Sequence, residues 1–549
     1  MAVGGAVLYR NLRARDAGTA STLDIHSYTL DEIDAGALEA EVCIIGSGPA
    51  GAVLANVLAD RGIATLLVES GPDRKSSHGS PGFAELDAYA SPGELRYPLA
   101  ASRFRGAGGT SNLWTGTCPR FHPLDFEPHA YTPADAPWPI GYDDLEPYYV
   151  RAEEGLHVRG VDDTPFAPPR RDPFPRPLIV SQSNLPRLVQ RAATAIALQQ
   201  LPWSDWKGHP VNMVVSHLPI FTASPHGRLL CAATATRILC DANGSISGVQ
   251  LQEIGRPPRV VRARTYVIAG GGVETARLLL LSRCHRFPDG IGNHSDLVGR
   301  CFMEHPAVAI GTGTVTGFWD PWSVKERAFS EQFLKDAKGQ GLGGVRIRLM
   351  TSRDPLHAGL DRPLESVREG VRALRVLHVE VKAQIEMEPS PANRVTLGQE
   401  RRDAFGDPGA SLYLRFTEND DRTVRYAESL VRRILAELGV DNVAVKVGAR
   451  HWDHHHMGTC RMGDDPRTSV VDRNLRVHGV DNLYIAGSAP FVTGSVSNPT
   501  LTIVALSLRL ADHLTEQLRS SMVLPSRFGK GARRLGRQML ANKNAGVVP

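Results

Sequence analysis

Residues 41–71, EVCIIGSGPAGAVLANVLADRGIATLLVESG, pass through three apolar patterns in turn. Residues 42–45 form a solid apolar run, the mark of a strand buried on both faces. Beyond Gly46, Gly48 and Gly51 the apolar positions take helical spacing as far as Gly62, which predicts a helix closed by a left-handed glycine. A second apolar run then ends on Glu69. Strand, glycine turn and helix return in that order at 266–282, YVIAGGGVETARLLLLS, and a strand followed by small residues returns at 482–491, NLYIAGSAPF. These pieces predict one parallel-sheet domain gathered from segments scattered along the chain. Residues 422–439 predict an amphipathic helix closed by Gly439, and the proline-rich 162–177 an extended connector.

The glycines add chemistry to the pattern. Gly46 suits a tight turn, Gly48 a close approach of backbone to a pyrophosphate, and Gly51 close packing of helix on strand. The helix that follows offers free N–H groups to phosphate, and Glu69 stands where an acid accepts from ribose hydroxyls. The fingerprint predicts a bound dinucleotide and does not choose between NAD and FAD. A second glycine block, RFRGAGGTSNLWTGTC at 103–118, points to flavin: Gly108 and Gly109 let the backbone lie against a flat ligand, and Ser111, Asn112 and Thr115 supply short polar groups for ring heteroatoms.

Composition narrows the class. A chain of 549 residues exceeds one ordinary core, and 42% hydrophobic with 22% charged residues is that of a folded, water-soluble protein. A net charge of +4 with no interleaved basic and aromatic motif argues against nucleic acid as partner. Seven cysteines without CxxC pairing predict reduced thiols. No apolar stretch approaches the ~18 residues of a membrane span, and the start lacks a signal-peptide pattern. Cytoplasmic localisation is the expectation.

Taken together, IIGSGPAGAVLA with Glu69, GAGGTSNLW, WPIGYDDLEPYYVRAEE (138–154), GGGVETARLLLLS, GNHSDLVGRCFMEHP (292–306) and HHHMGTCRMG with LYIAGSAPFVTGSVSNPTLTIVALSLRLADHL (483–514) resemble the glucose–methanol–choline (GMC) family of FAD-dependent oxidoreductases. The resemblance is closest to the branch of pyranose oxidase and bacterial sugar and polyol dehydrogenases. It implies a mixed α/β and α+β fold: a Rossmann-like FAD-binding domain plus an antiparallel-sheet substrate domain. The implied division is 36–135, 210–305 and 450–515 for the FAD-binding domain, 136–209 for a connector and substrate-domain segment, 306–449 for the substrate domain, and 516–549 for a basic C-terminal tail. Gly487, Ser488, Asn498 and Thr500 join the implied cofactor contacts. Leu113 stands where pyranose oxidase-like members attach flavin to a histidine, so FAD is expected to be non-covalent. Only Cys231 falls where multi-subunit sugar dehydrogenases carry an iron–sulfur cysteine cluster.

The stretch HWDHHHMGTCRMGDD, 451–465, carries the candidate chemistry. Taking hydride from an alcohol carbon requires a base at the hydroxyl, and imidazole titrates near working pH. The family motif selects His455 as that base, taking the proton while the carbinol hydride passes to flavin N5. An extended 451–457 would turn His454 and His456 to the opposite face; no metal site is expected there, because no third ligand is spaced to join them. Asn498, where many members have histidine, is the second active-site residue and the expected N-cap of a helix opening on Pro499. Glu304 and His305, in the family's HP site, are expected to be structural. The implied activity is oxidation of an alcohol on a sugar, glycoside, amino sugar or cyclitol, with oxygen or another electron acceptor as second partner and the oligomeric state left open. Rivals are a non-redox cyanohydrin-type lyase on the same fold and a flavoprotein subunit that works through a redox partner.

Overall fold

The computed structural model describes residues 25–33, 38–73, 86–129, 131, 136–162, 164–179, 182–192, 196–320, 323, 325–353 and 375–523. The chain's first residues and the basic stretch 527–543 lie outside them.

The four-residue apolar strand Thr65–Val68 and the mostly buried strand Glu39–Ile45 pair in parallel, as predicted for strands covered on both faces. They sit in an eight-stranded sheet in the order Ser27–Tyr28, Gly227–Leu230, Thr65–Val68, Glu39–Ile45, Arg259–Ile268, Ile246–Gln252, Thr234–Cys240, with Leu483–Ile485 against the far half of Arg259–Ile268. Ile45 is level with Val68 and Ile268, and Ile268 with Ile485. The carboxyl ends of four parallel strands therefore form one rim, where Gly46, Glu69, Gly270 and Gly487 lie side by side. The helix Pro49–Asp60 is buried from Ala50 to Ala59. It is apolar almost all round because sheet, C-terminal helix and neighbouring turns cover it.

A second sheet is wholly antiparallel, in the order Lys325–Ser330, Val345–Ser352, Val376–Ile385, Pro306–Thr316, Asp441–Trp452. The helix Glu418–Glu437 covers it, burying Val424, Ala427, Leu430, Val431, Ile434 and Leu435 at helical spacing. This helix starts ahead of the expected 422, because Thr417 and Asp420 form a capping box; Gly439 (φ +62) follows its end.

Two expected boundaries shift. The strand Asp441–Trp452 runs through the division at 449–450, so the segment just ahead of the histidines belongs to the second sheet. Within 306–449, Arg394–Arg402 pairs with Pro408–Tyr413, which pairs in turn with Tyr89–Ala90, and Val395, Ala410 and Leu412 join the first core. The C-terminal helix extends to Val523, past the expected start of the tail. Cys240 and Cys284 form a disulfide, correcting the expectation of reduced thiols throughout; the other five cysteines are free and buried. No described helix is long and apolar enough to cross a membrane.

Candidate active site

Two strand pairings frame the histidines. Pro306 pairs with Trp452 at the end of the second sheet, and Met303 pairs with Met457 just beyond. Between those pairings Glu304 and His305 face four residues, Asp453–His456, so the longer side bulges. His454 takes φ +64, a left-handed conformation that breaks the expected alternation of faces over 451–457. The buried Glu304 carboxylate fastens the bulge, accepting from the N–H of Asp453 (3.1 Å) and that of His455. Burial, and then the Asp453 charge, push the Glu304 carboxyl up to about 8.

The three histidines part company here. His454 is exposed. His456 turns to Tyr97 and Ser102, with Nε2 2.9 Å from the phenol oxygen and 3.0 Å from the hydroxyl. His455 alone faces Asn498, its Nε2 3.3 Å from the amide Nδ2, while its Nδ1 lies 2.8 Å from His305 Nδ1. Burial first, then the Arg346 charge, hold the His455 imidazole down at about 3, and burial does the same for His305. Both rings are neutral at working pH. Among the described residues no group of three or more His, Cys, Asp or Glu is placed to hold a metal ion.

Asn498 is not the helix cap expected of it. The C-terminal helix is Thr500–Val523, and Pro499 O accepts its first i→i+4 bond, from Ile503 N. The Asn498 side chain goes instead to His455 and to Arg346, whose Nη1 donates to Asn498 Oδ1 (3.1 Å). Arg346 is fully buried and also donates to Glu331 Oε1 through Nε and Nη2 (2.9 and 2.7 Å) and to Ser497 Oγ (3.2 Å). Sequence reasoning missed Arg346; its one signal is a charged residue inside the alternating VRIRLM run. Glu331 also borders a cavity of about 550 Å³ beneath the proline-rich 161–174, with Arg120 and Gln199 in its wall.

At the rim of the first sheet the two glycine blocks meet. Gly46 has φ +106, and a Cβ on Gly51 would stand 1.9 Å from Gly46 O, so close packing of helix on strand excludes any side chain there. A Cβ on Gly109 (φ +52) would lie 3.0 Å from Gly48 Cα, which brings the loops into contact. Ser47, which sequence reasoning passed over, joins them: Glu69 Oε2 accepts from Ser47 N and Oγ (3.2 and 2.6 Å), Gly108 N donates to Ser47 Oγ (3.1 Å), and Glu69 Oε1 accepts from Gly71 N (2.9 Å). The carboxylate keeps acceptor capacity for a further donor.

Ser111 and Asn112 do not present the free side chains expected of them. Ser111 Oγ donates to Gly108 O and accepts from Met213 N. Asn112 Nδ2 donates to Ala107 O and Gly109 O, and its Oδ1 accepts from Asn212. Both side chains are spent on shaping the loop. Thr115 is exposed, Thr500 half-buried in the first turn of the C-terminal helix, and the Ser488 hydroxyl donates to His456 O. Gly487 is buried, has φ +108, and has nothing within 4 Å of a built Cβ.

The GMC oxidoreductase family model matches residues 389–507 and an FAD binding domain model matches 39–79. The 6'''-hydroxyparomomycin C oxidase of Streptomyces lividus is 30% identical over 529 residues, 86% of this chain and 92% of that protein. The chain belongs to the GMC oxidoreductase family. The fructose dehydrogenase large subunit of Gluconobacter japonicus is 27% identical over 543 residues, covering 88% of this GMC oxidoreductase and 99% of that subunit. The crystal structure of pyridoxine 4-oxidase from Mesorbium loti shares the fold, with a TM-score of 0.59 at 18% identity over 87% of this chain and 99% of that one.

Membership makes the protein an FAD-dependent alcohol oxidoreductase. The residues present fit that cofactor. Gly46, Gly48 and Gly51 leave a bare backbone at the start of a long helix, and Gly487 leaves space where a side chain would stand.

Proposed function

We propose that this GMC oxidoreductase oxidises a hydroxyl group of a polyhydroxylated small molecule, a sugar, glycoside, amino sugar or cyclitol. The names of the Streptomyces lividus and Gluconobacter japonicus relatives support that substrate class. The observation that carries the chemistry is the pairing of His455 Nε2 with the Asn498 amide, 3.3 Å apart.

FAD, held non-covalently because Leu113 offers no attachment point, supplies the hydride acceptor. The chain's own residues handle the proton. His455 is neutral and half-buried, with the Arg346 charge opposing its protonation, so its bare Nε2 can take the hydroxyl proton as the C–H bond weakens. Asn498 is neutral and cannot act as base; the N–H it does not turn to His455 holds the substrate oxygen so that the carbinol carbon keeps one orientation. Arg346 fixes that amide by occupying its oxygen. Glu69, Ser47 and the backbone of Gly46, Gly48, Gly51, Gly108 and Gly109 bind the cofactor's ribose and phosphates.

The test is anaerobic mixing of FAD-loaded protein with a panel of sugars, amino sugars and cyclitols. Bleaching of the flavin by a member of the panel, slowed about 10²–10⁴-fold in His455→Ala and less in Asn498→Ala, is expected. Undiminished bleaching in both variants would end the assignment, and an unbleached flavin with every alcohol would favour a lyase. Acid precipitation should release all of the flavin into the supernatant.

A further inference from the structure

We infer that His305 is the positioning residue that fixes which nitrogen of His455 is bare. The inference rests on the reading of His455 as the base.

The polar atoms admit one arrangement of protons. Gly494 O can only accept, and it lies 3.1 Å from His305 Nε2, so that nitrogen carries a proton. Neutral His305 then presents a bare Nδ1. That atom lies 2.8 Å from His455 Nδ1, so the proton between the rings belongs to His455. Neutral His455 is left with a bare Nε2, the nitrogen that faces Asn498 Nδ2.

The other end gives the same answer independently. The Arg346 guanidinium can only donate, and it donates to Asn498 Oδ1, so the NH₂ is the group turned to His455. An NH₂ requires an acceptor, which is a bare Nε2. Moving the His455 proton to Nε2 would set two donors face to face at Asn498 and two lone pairs face to face at His305. Segment 494–498 thus grips the imidazole pair from both sides, through a carbonyl at one end and an amide at the other. His305 is buried, so bulk water does not compete for the bond. Low values of about 3 for both rings agree with two neutral imidazoles.

The chemical consequence lies in what stays constant. When His455 Nε2 takes the hydroxyl proton, Nδ1 keeps its own, and the bond to His305 becomes charge-assisted without rearrangement. The ring is presented in its reactive tautomer before substrate arrives and is held through the transfer.

The experiment uses FAD-loaded protein labelled with ¹⁵N-histidine, the His455 signals being those lost in His455→Ala. In the wild type, protonated Nδ1 and bare Nε2 at His455 are expected; a proton on Nε2 overturns the inference without recourse to any variant. His305→Asn, whose side-chain oxygen can stand in for Nδ1, should keep that signature and reduce flavin within about tenfold of wild type. His305→Phe removes the acceptor, and should shift the proton toward Nε2 and slow reduction about 10–100-fold with KM nearly unchanged. A His305→Phe variant that keeps both tautomer and rate overturns the inference. Should His455→Ala reduce flavin normally, the reading of the base falls instead, whatever the tautomer.

Discussion

At the scale of single residues, Arg346 shows how the site holds a cation without presenting it. Glu331 takes two of its N–H groups, Ser497 another, and the remaining contact orients Asn498. Arg346→Lys keeps the charge and loses the fork. It is expected to retain FAD but slow flavin reduction about tenfold through a loosened Asn498, read by stopped-flow absorbance. Arg346→Met leaves Glu331 buried without its partner and should cost about 3–5 kcal/mol of stability in denaturant unfolding.

The titratable groups of the bulge oppose one another. The Glu304 carboxyl, at about 8 in the folded protein against an ordinary 4.5, adds stability that is present below 4.5 and lost as pH rises through 8. His305 and His455, at about 3 against 6.5, add stability that is present above 6.5 and lost as pH falls through 3. Melting temperature should peak near the histidines' ordinary value, and Glu304→Gln should flatten the alkaline decline. His455, the proposed base, was singled out by the motif. The nearness of His305 to that ring and of the Arg346 guanidinium to Asn498 was not legible there, because one lies just ahead of the strand Pro306–Thr316 and the other on the strand Val345–Ser352, far off in sequence and brought near only by folding.

At the scale of elements, the glycine turns were legible in detail, since a fingerprint fixed by backbone sterics leaves few alternatives. Gly51→Ala would drive a methyl into Gly46 O and push the helix off the strand. Loss of FAD retention is expected, visible as colourless protein after gel filtration, with destabilisation of at least about 1–3 kcal/mol. Thr417→Ala serves as the contrast. It removes a cap from the helix Glu418–Glu437, which covers the second sheet, and should cost about 1 kcal/mol while leaving flavin reduction unchanged. The histidine segment was the hard element to foresee. Alternation assumes equal strand lengths on both sides, whereas here two residues oppose four, and the facing of every side chain in the bulge depends on that mismatch.

At the scale of the molecule, the parallel sheet assembled from distant segments followed from repeated strand–glycine–helix patterns. The antiparallel sheet rested on family resemblance, and its edges were misjudged where strands cross from one core to the other. Because the chain passes repeatedly between the cores, they should melt in one transition. Removing FAD should lower that transition for both together, by about 4 kcal/mol where the cofactor is held a thousandfold above its Kd, as followed by calorimetry. The Cys240–Cys284 bond lies on the far strand of the first sheet and joins it to the loop after the helix Gly271–Leu281. Reduction there should leave flavin loading intact.

The imidazole rides on the end of the antiparallel sheet, while the amide opposite it is carried at the mouth of the C-terminal helix, which packs on the other core. A gap of a few ångströms between those two atoms is therefore also a gauge of how the halves of the protein are seated. Remote changes that let one half settle differently against the other should register as lost turnover well before the protein melts any sooner. Surveys of distant variants by rate would then chart the seam, with substrate oxidation acting as the dial.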